Sequence, residues 1–402
     1  MIRRRRVKIT GVGPVTPAGV GRDEFLAGIQ ESVSRVHALP ALAKYESGEF
    51  VGAEVTSDIF HAMAHDMSLA RMPRHSQFAV AAAELAVKDA GLDLGALADQ
   101  HPLIIAGASL MDFGVMNKIM DRIVRTGPSF GLPSAVFSSS TSAIAGEIAE
   151  RINGPTQTLA LQSACCSGVD AIGHASLKIA SGEAEIAICG GTEAPLYFHP
   201  MLELKMAGLA PDTAEMPERL CRPFDLWRTT GVISEGACFF VLEPEESPRE
   251  AIAYLDGYAY ATDPAEQSVV GLKDAIKLAL ANGGRRTAEV ECINAWGPGH
   301  KLVDRAEAQV LAEVFGPLLA EIPAVSIKGA LGNPLGAAGA IQAGIAALGL
   351  REGIIPPTVN WQHPDPECAL NLSGQCRAIS HDVTLINSHG LSGTNACLVL
   401  SK

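Results

Sequence analysis

The chain has 402 residues, a formal net charge of −13, 48% hydrophobic and 19% charged residues, which is the composition of a folded globule rather than a disordered chain. The acidic balance argues against sequence-independent nucleic-acid binding, which needs a basic footprint, and no stretch approaches the roughly 18 unbroken apolar residues of a membrane span. Nine cysteines, an odd number with no CxxC pair, exclude zinc-type spacing and suit a reducing cytoplasm, so no metal is expected.

The predicted elements begin after a basic run, Arg3 to Arg6, which reads as a solvated N-terminal end. No apolar stretch of signal-peptide length follows it. Val7–Val15 begins as a strand. Gly11-Val12-Gly13 after that strand imitates a dinucleotide fingerprint. Position 16 is Thr rather than the third glycine, and Pro14 and Pro17 block a helix there, so nucleotide binding is not expected. Gln77–Ala90 is helical and closed by Gly91; Pro102–Ala108 is an apolar strand; Ala143–Ile152 is a helix stopped by Asn153-Gly154-Pro155. Thr158–Ala164 is a strand, followed at once by Val169, Ile172, Ser176 and Ile179 at helical spacing. Glu185–Gly190 and Ala237–Leu242 are strands.

The second half repeats the order. Ala251–Ala261 reads as strand, Leu272–Ala281 as helix, Val290–Ala295 as strand and Ala306–Phe315 as helix. Ala324–Lys328 reads as strand, Ala337–Leu350 as helix, and Thr384–Asn387 and Ala396–Leu400 as closing strands. Two similar halves, residues 1–244 and 251–402, joined through the linker-like Glu243–Arg249, suggest an internal duplication packed in layers.

The stretch with chemical content is Ser163-Ala-Cys165-Cys166-Ser167-Gly168. A strand ends, a cysteine sits on the turn and a helix begins. That arrangement exposes the sulfur, aims it at the positive end of a helix that stabilises thiolate, and places backbone N–H groups where an oxyanion would form. A buried, inert cysteine is the competing reading.

SACCSG resembles the active-site elbow of the β-ketoacyl-ACP synthase (ketosynthase) family of the thiolase-like superfamily. The opening Val7–Gly19, Arg74-His-Ser-Gln-Phe-Ala79, Cys221-Arg-Pro-Phe-Asp225, Ser234-Glu-Gly-Ala237, Lys328 with Gly336-Ala-Ala-Gly339, and Asn387-Ser-His-Gly-Leu-Ser-Gly-Thr-Asn395 resemble further family blocks in order along nearly the whole chain. The resemblance implies a five-layered αβαβα fold of two similar halves, a dimer, and an acyl group carried on Cys165. It also implies substrate delivered on the phosphopantetheine arm of an acyl carrier protein, with no resident cofactor.

The family's two catalytic histidines are absent. Trp296 stands in place of the first and Asn333 in place of the second, while Pro298 and His300 replace threonines that contact phosphopantetheine in relatives. Indole carries no titratable nitrogen, and Asn donates hydrogen bonds without switching protonation. Acylation of Cys165 is therefore expected to survive better than decarboxylation of a malonyl group. His389, where the family has a phenylalanine, is a candidate base, and His300 a second. Leu391 replaces the gating phenylalanine but keeps the backbone N–H of the oxyanion hole. Lys328 keeps its family position supporting the site. The stretch between Gly257 and Leu272 is shorter than the family's loop, which reshapes the acyl pocket.

Val303-Asp-Arg-Ala-Glu-Ala308 resembles a run frequent in chain-length factors, the inactive partners of polyketide ketosynthases. Two functions follow from the resemblance: an acyltransferase working through Cys165, or a non-catalytic subunit pairing with an active ketosynthase; the dimer is a homodimer or a heterodimer with a ketosynthase.

Overall fold

The computed structural model describes residues 5–43, 47–67, 69–130, 134–264 and 269–402. Arg3 and Arg4 of the basic run, and positions 265–268 of the stretch read as a shortened loop, lie outside them.

Ten principal strands build the sheet: β1 Val7–Thr16, β2 Leu103–Gly107, β3 Gln157–Leu161, β4 Ala187–Glu193, β5 Gly236–Pro244, β6 Ala253–Thr262, β7 Cys292–Asn294, β8 Ala324–Val325, β9 Val383–His389 and β10 Thr394–Ser401. In the first half the order is β3-β2-β4-β5-β1, and in the second β8-β7-β9-β10-β6. Adding five to each label of the first order gives the second. Pairing sense repeats as well. β2 runs parallel to β3 and β4, as β7 does to β8 and β9. The remaining pairs, β4 with β5, β5 with β1, β9 with β10 and β10 with β6, are antiparallel. The halves join where Val7, Lys8 and Ile9 of β1 pair with Leu255, Tyr254 and Ala253 of β6.

Helices complete five layers. Arg74–Asp89 and Thr141–Ile152 cover one outer face; Leu272–Asn282 and Lys301–Phe315 cover the other. Between the two halves of the sheet lie Ser167–Ser181 and Ala338–Glu352, which pack on each other. The second of these is apolar all round but for Gln342 and is buried from Ala338 to Leu350, as a helix covered on both faces must be. Val169, Ile172 and Ile179 from one and Ala340, Ile341, Ile345 and Leu348 from the other share a single core.

Gly11 and Gly13, the nucleotide-like pair, have a packing role. A Cβ at either would lie 2.0 Å from the carbonyl oxygen of Ala86 or Ala82, so helix Arg74–Asp89 rests directly on β1. The reading of a solvated N-terminal end is corrected at its two described arginines. Arg5 donates to both oxygens of Glu185 and to the carbonyls of Ile179 and Ala184, and the Arg6 guanidinium sits 3.5 Å over the Tyr254 ring. Among the described residues no helix is long and apolar enough to cross a membrane.

Candidate active site

β3 ends at Leu161, three residues earlier than the periodicity predicts, because the chain turns to reach the central helix. Ala164 takes a left-handed backbone, φ 52°, at the apex of that turn. Cys165 follows, Cys166 is the N-cap residue, and the helix starts at Ser167. The turn is held from inside: Ser167 Oγ donates to the Ala164 carbonyl at 2.5 Å and accepts from Ser163 N at 3.0 Å. The loop after β9 approaches it closely. A Cβ on Gly390 would stand 3.0 Å from Ala164 Cβ and 3.3 Å from Cys165 N. Ser388 Oγ also donates to the Cys165 carbonyl at 3.2 Å.

The sulfur is not exposed, contrary to the turn-based expectation. Cys165 is 6% exposed and packs with Phe50, Met201, Ile233, Trp296 and Leu335. Burial pushes its thiol up to about 12, and the Glu193 carboxylate adds to that. The backbone N–H of Leu391, the Lys328 ammonium and the Cys165 N–H pull the other way and do not prevail. The helix start therefore does not make a resting thiolate; desolvation outweighs it. The two backbone N–H groups that favour the thiolate belong to Cys165 itself and to Leu391, which lines the same cavity.

Trp296, Pro298 and His300 come from the loop after β7. The acidic residues of Val303–Ala308 hold it in place. Glu307 accepts from Trp296 N and Gly297 N, both at 2.8 Å, and from Asn387 Nδ2 at 3.0 Å. Asp304 accepts from Gly299 N at 3.1 Å and Phe224 N at 2.7 Å; burial raises it to about 7. His300 caps helix Lys301–Phe315, its Nδ1 accepting from Val303 N at 3.5 Å. Burial, then the Arg228 charge, lowers its pKa. That capping bond occupies one ring nitrogen of His300, the second candidate base.

Lys328 is corrected from strand end to helical turn, Lys328–Leu331. It is 1% exposed, and Nζ donates to the Trp296 carbonyl at 2.5 Å and to Gln342 Oε1 at 2.9 Å. Nζ also lies 3.8 Å from the centre of the Trp296 ring. Burial lowers its pKa to about 7, with Glu307 the main opposing charge.

Asn333 is bound through its backbone to Val232 and Ser234, and its Oδ1 is buried without a partner. His389 ends β9, 6% exposed, with Nδ1 2.9 Å from Asn395 Oδ1. Cys165, Trp296, Pro298, His300, Asn333, His389 and Leu391 line one cavity of about 40 Å³, with Leu209, Gly231, Ile233, Val303 and Leu335. That volume holds about three waters. Leu391, 62% exposed, stands at its rim. Lys328 alone of the predicted residues lies behind the lining rather than in it.

Sequence reasoning missed Glu193, which accepts from Ser109 N, Leu110 N and Gly336 N behind the elbow, and Asp263, which anchors Asn395. A lone carboxylate at a strand end carries no pattern to betray it. Asn395 stood within the terminal motif, and Glu307 within the run read as a partner-subunit mark; their targets are distant in sequence.

Residues 4–247 match the family model described as beta-ketoacyl synthase, N-terminal domain, and residues 252–362 the corresponding C-terminal domain. The chain is 30% identical over 421 residues to the putative polyketide beta-ketoacyl synthase 1 of Streptomyces virginiae, covering 99% of this chain and 98% of that one. It is 29% identical to the 3-oxoacyl-(acyl-carrier-protein) synthase 2 of Coxiella burnetii, covering 100% and 99%. Among solved structures, the ishigamide ketosynthase/chain length factor superposes with a TM-score of 0.91 at 28% identity over 99% of both chains. A type II PKS acyl-carrier protein in complex with its ketosynthase bound to the hexaketide gives 0.90 at 27%, again over 99% of both.

Proposed function

From a chain that belongs to the beta-ketoacyl synthase family, we propose an acyltransferase of fatty-acid or polyketide type that carries its acyl group on Cys165. The observation behind this is that Cys165, on the turn before the central helix, lines one cavity with Leu391, so that the backbone N–H groups of both are available there. When a thioester carbonyl is attacked there, those donors face the oxygen that becomes negative, and each such donor is worth about 3 kcal/mol. The donor substrate is an acyl thioester on the pantetheine arm of a carrier protein; one similar solved structure is a type II PKS acyl-carrier protein in complex with its ketosynthase. Pro298 and His300 line the approach. No resident cofactor enters this chemistry. Nine free thiols suit work in the cytoplasm.

Decarboxylative condensation is not part of the proposal, because Trp296 and Asn333 cannot exchange a proton near neutrality. A second reading has its own support: the narrow cavity of about 40 Å³ and the neutral thiol suit a non-catalytic subunit paired with an active ketosynthase. Intact mass after incubation with a short acyl-pantetheine thioester separates the two. An adduct on the wild type and none on Cys165→Ala supports the acyltransferase. No adduct, with stable co-purification beside a histidine-complete ketosynthase, supports the subunit.

A further inference from the structure

Leu335 lines the Cys165 cavity from a backbone position that favours glycine. Its φ is 42°, in the left-handed region, where a Cβ is penalised and glycine is not. Neighbouring bonds hold it there. Asn333 N donates to the Val232 carbonyl at 2.7 Å, Ser234 N to the Asn333 carbonyl at 3.1 Å, and Gly336 N to Glu193 at 3.0 Å. A strained residue kept in place by its surroundings and set beside a reactive group points to a task for its side chain. Leu335 is buried and shares an apolar cluster with Cys165. Ile233, also buried, lines the same cavity from the segment bridged to Asn333. Phe50, Met201 and Ala338 complete the cluster without lining the cavity, and the Phe50 ring meets Phe198 edge-on with centroids 6.1 Å apart.

Resting on the reading of Cys165 as an acyl carrier, we propose that the acyl group it takes is short, acetyl or propionyl, and that Leu335 is the specificity-determining residue that sets this limit. The cavity of about 40 Å³ has room for about three non-hydrogen atoms, each the size of a water. An acetyl group has that number and a propionyl group one more. A hexanoyl group has more than twice as many, and a close-packed interior yields little to an oversized guest. Ile233, Leu335, Val303 and Trp296 make the lining apolar, which suits an alkyl end.

Acylation balances without a further reactant. The carbonyl carbon of the donor thioester gains a bond to the Cys165 sulfur and loses its bond to the pantetheine sulfur, which leaves with the Cys165 thiol proton. During that exchange the pantetheine arm occupies the rim, where Leu391 is exposed. The alkyl end is left with the space bounded by Leu335 and Ile233. The same backbone that strains Leu335 makes this limit removable. Glycine adopts its φ without penalty, so Leu335→Gly opens the cavity while the segment keeps its course.

The test uses the purified full chain with acetyl-, propionyl-, butyryl-, hexanoyl- and octanoyl-pantetheine, each followed by intact mass over time. Wild type forms the Cys165 adduct from acetyl and propionyl donors at least about 10-fold faster than from hexanoyl, as a packed pocket discriminates against excess methylenes. Leu335→Gly raises the hexanoyl rate relative to acetyl by about 10-fold or more. Loosened packing alone would slow both and leave their ratio unchanged. Ile233→Ala opens the same cavity from the other segment and takes the place of Leu335→Gly if that variant shows no cooperative melt. A wild-type hexanoyl or octanoyl adduct formed as fast as the acetyl one overturns the proposal and leaves Cys165 an acyl carrier. An unchanged hexanoyl-to-acetyl ratio in the folded variant also overturns it. No adduct from any donor on the wild type removes the acyl-carrier reading beneath it.

Discussion

Nζ of Lys328 lies 3.8 Å over the indole of Trp296 and donates at 2.5 Å to that same residue's carbonyl oxygen. One buried amine thus fixes both the ring and the backbone of a residue in the cavity lining. Its burial lowers the Lys328 pKa to about 7, against 10.5 for an ordinary lysine. Between those values the unfolded chain binds a proton that the folded chain lacks, so this group adds stability as pH rises from 7 and loses it as pH falls back. Relative to Lys328→Met, the wild type is expected to gain up to about 1 kcal/mol per pH unit between about pH 7 and 9. Paired urea melts across that window measure it; a flat difference contradicts the burial of a neutral amine.

Cys165 in the resting protein is expected to alkylate slowly. Raising the thiol from 9.0 to about 12 cuts the thiolate fraction at pH 8 roughly 1000-fold. The higher intrinsic nucleophilicity of a more basic thiolate restores part of that loss, leaving roughly a 30-fold deficit. Peptide mapping after timed iodoacetamide treatment checks this, with the less buried Cys376 as internal reference.

Trp296 is the largest side chain lining the cavity. Trp296→Ala is expected to lengthen the acyl chain accepted on Cys165 and to cost about 3–5 kcal/mol of stability through lost packing. A series of acyl-pantetheines from two to twelve carbons, read by intact mass, shows the change. An unaltered chain-length profile means the indole does not bound the acyl site.

The central helices tolerate no added volume at their crossing. A Cβ on Gly168 would lie 2.7 Å from the Gly336 carbonyl and 3.0 Å from Ala340 Cβ. Gly168→Ala is expected to destabilise by about 1–3 kcal/mol, as overpacked cores do, and to slow acylation by moving the elbow. Denaturant melts and the adduct assay measure the two effects.

Much of this was legible in the chain itself. The apolar runs of Val7–Thr16 and Ala338–Glu352 announced strand and central helix, because both elements are buried along nearly their whole length. The elbow was legible as a turn between two such elements. Its electrostatics were not: whether a helix start or burial governs a thiol depends on Phe50, Met201 and Ile233, which arrive from elsewhere. Helices such as Phe113–Thr126 and Phe198–Met206 went unread, since few of their positions are buried. Lys328 illustrates the boundary: its importance was readable from a motif, but its place behind Trp296 rather than inside the cavity needed the fold.

The seam between the halves, three residue pairs from Val7, Lys8 and Ile9 to Leu255, Tyr254 and Ala253, has a consequence for synthesis on the ribosome. The first strand to leave the exit tunnel finds one neighbour, β5, only after more than half the chain has been translated, and its other neighbour later still. Until then it offers an open ribbon edge to other nascent chains. A stalled or truncated product ending in the linker at Glu243–Arg249 would keep that edge bare, and such fragments are expected to aggregate or to be claimed by chaperones.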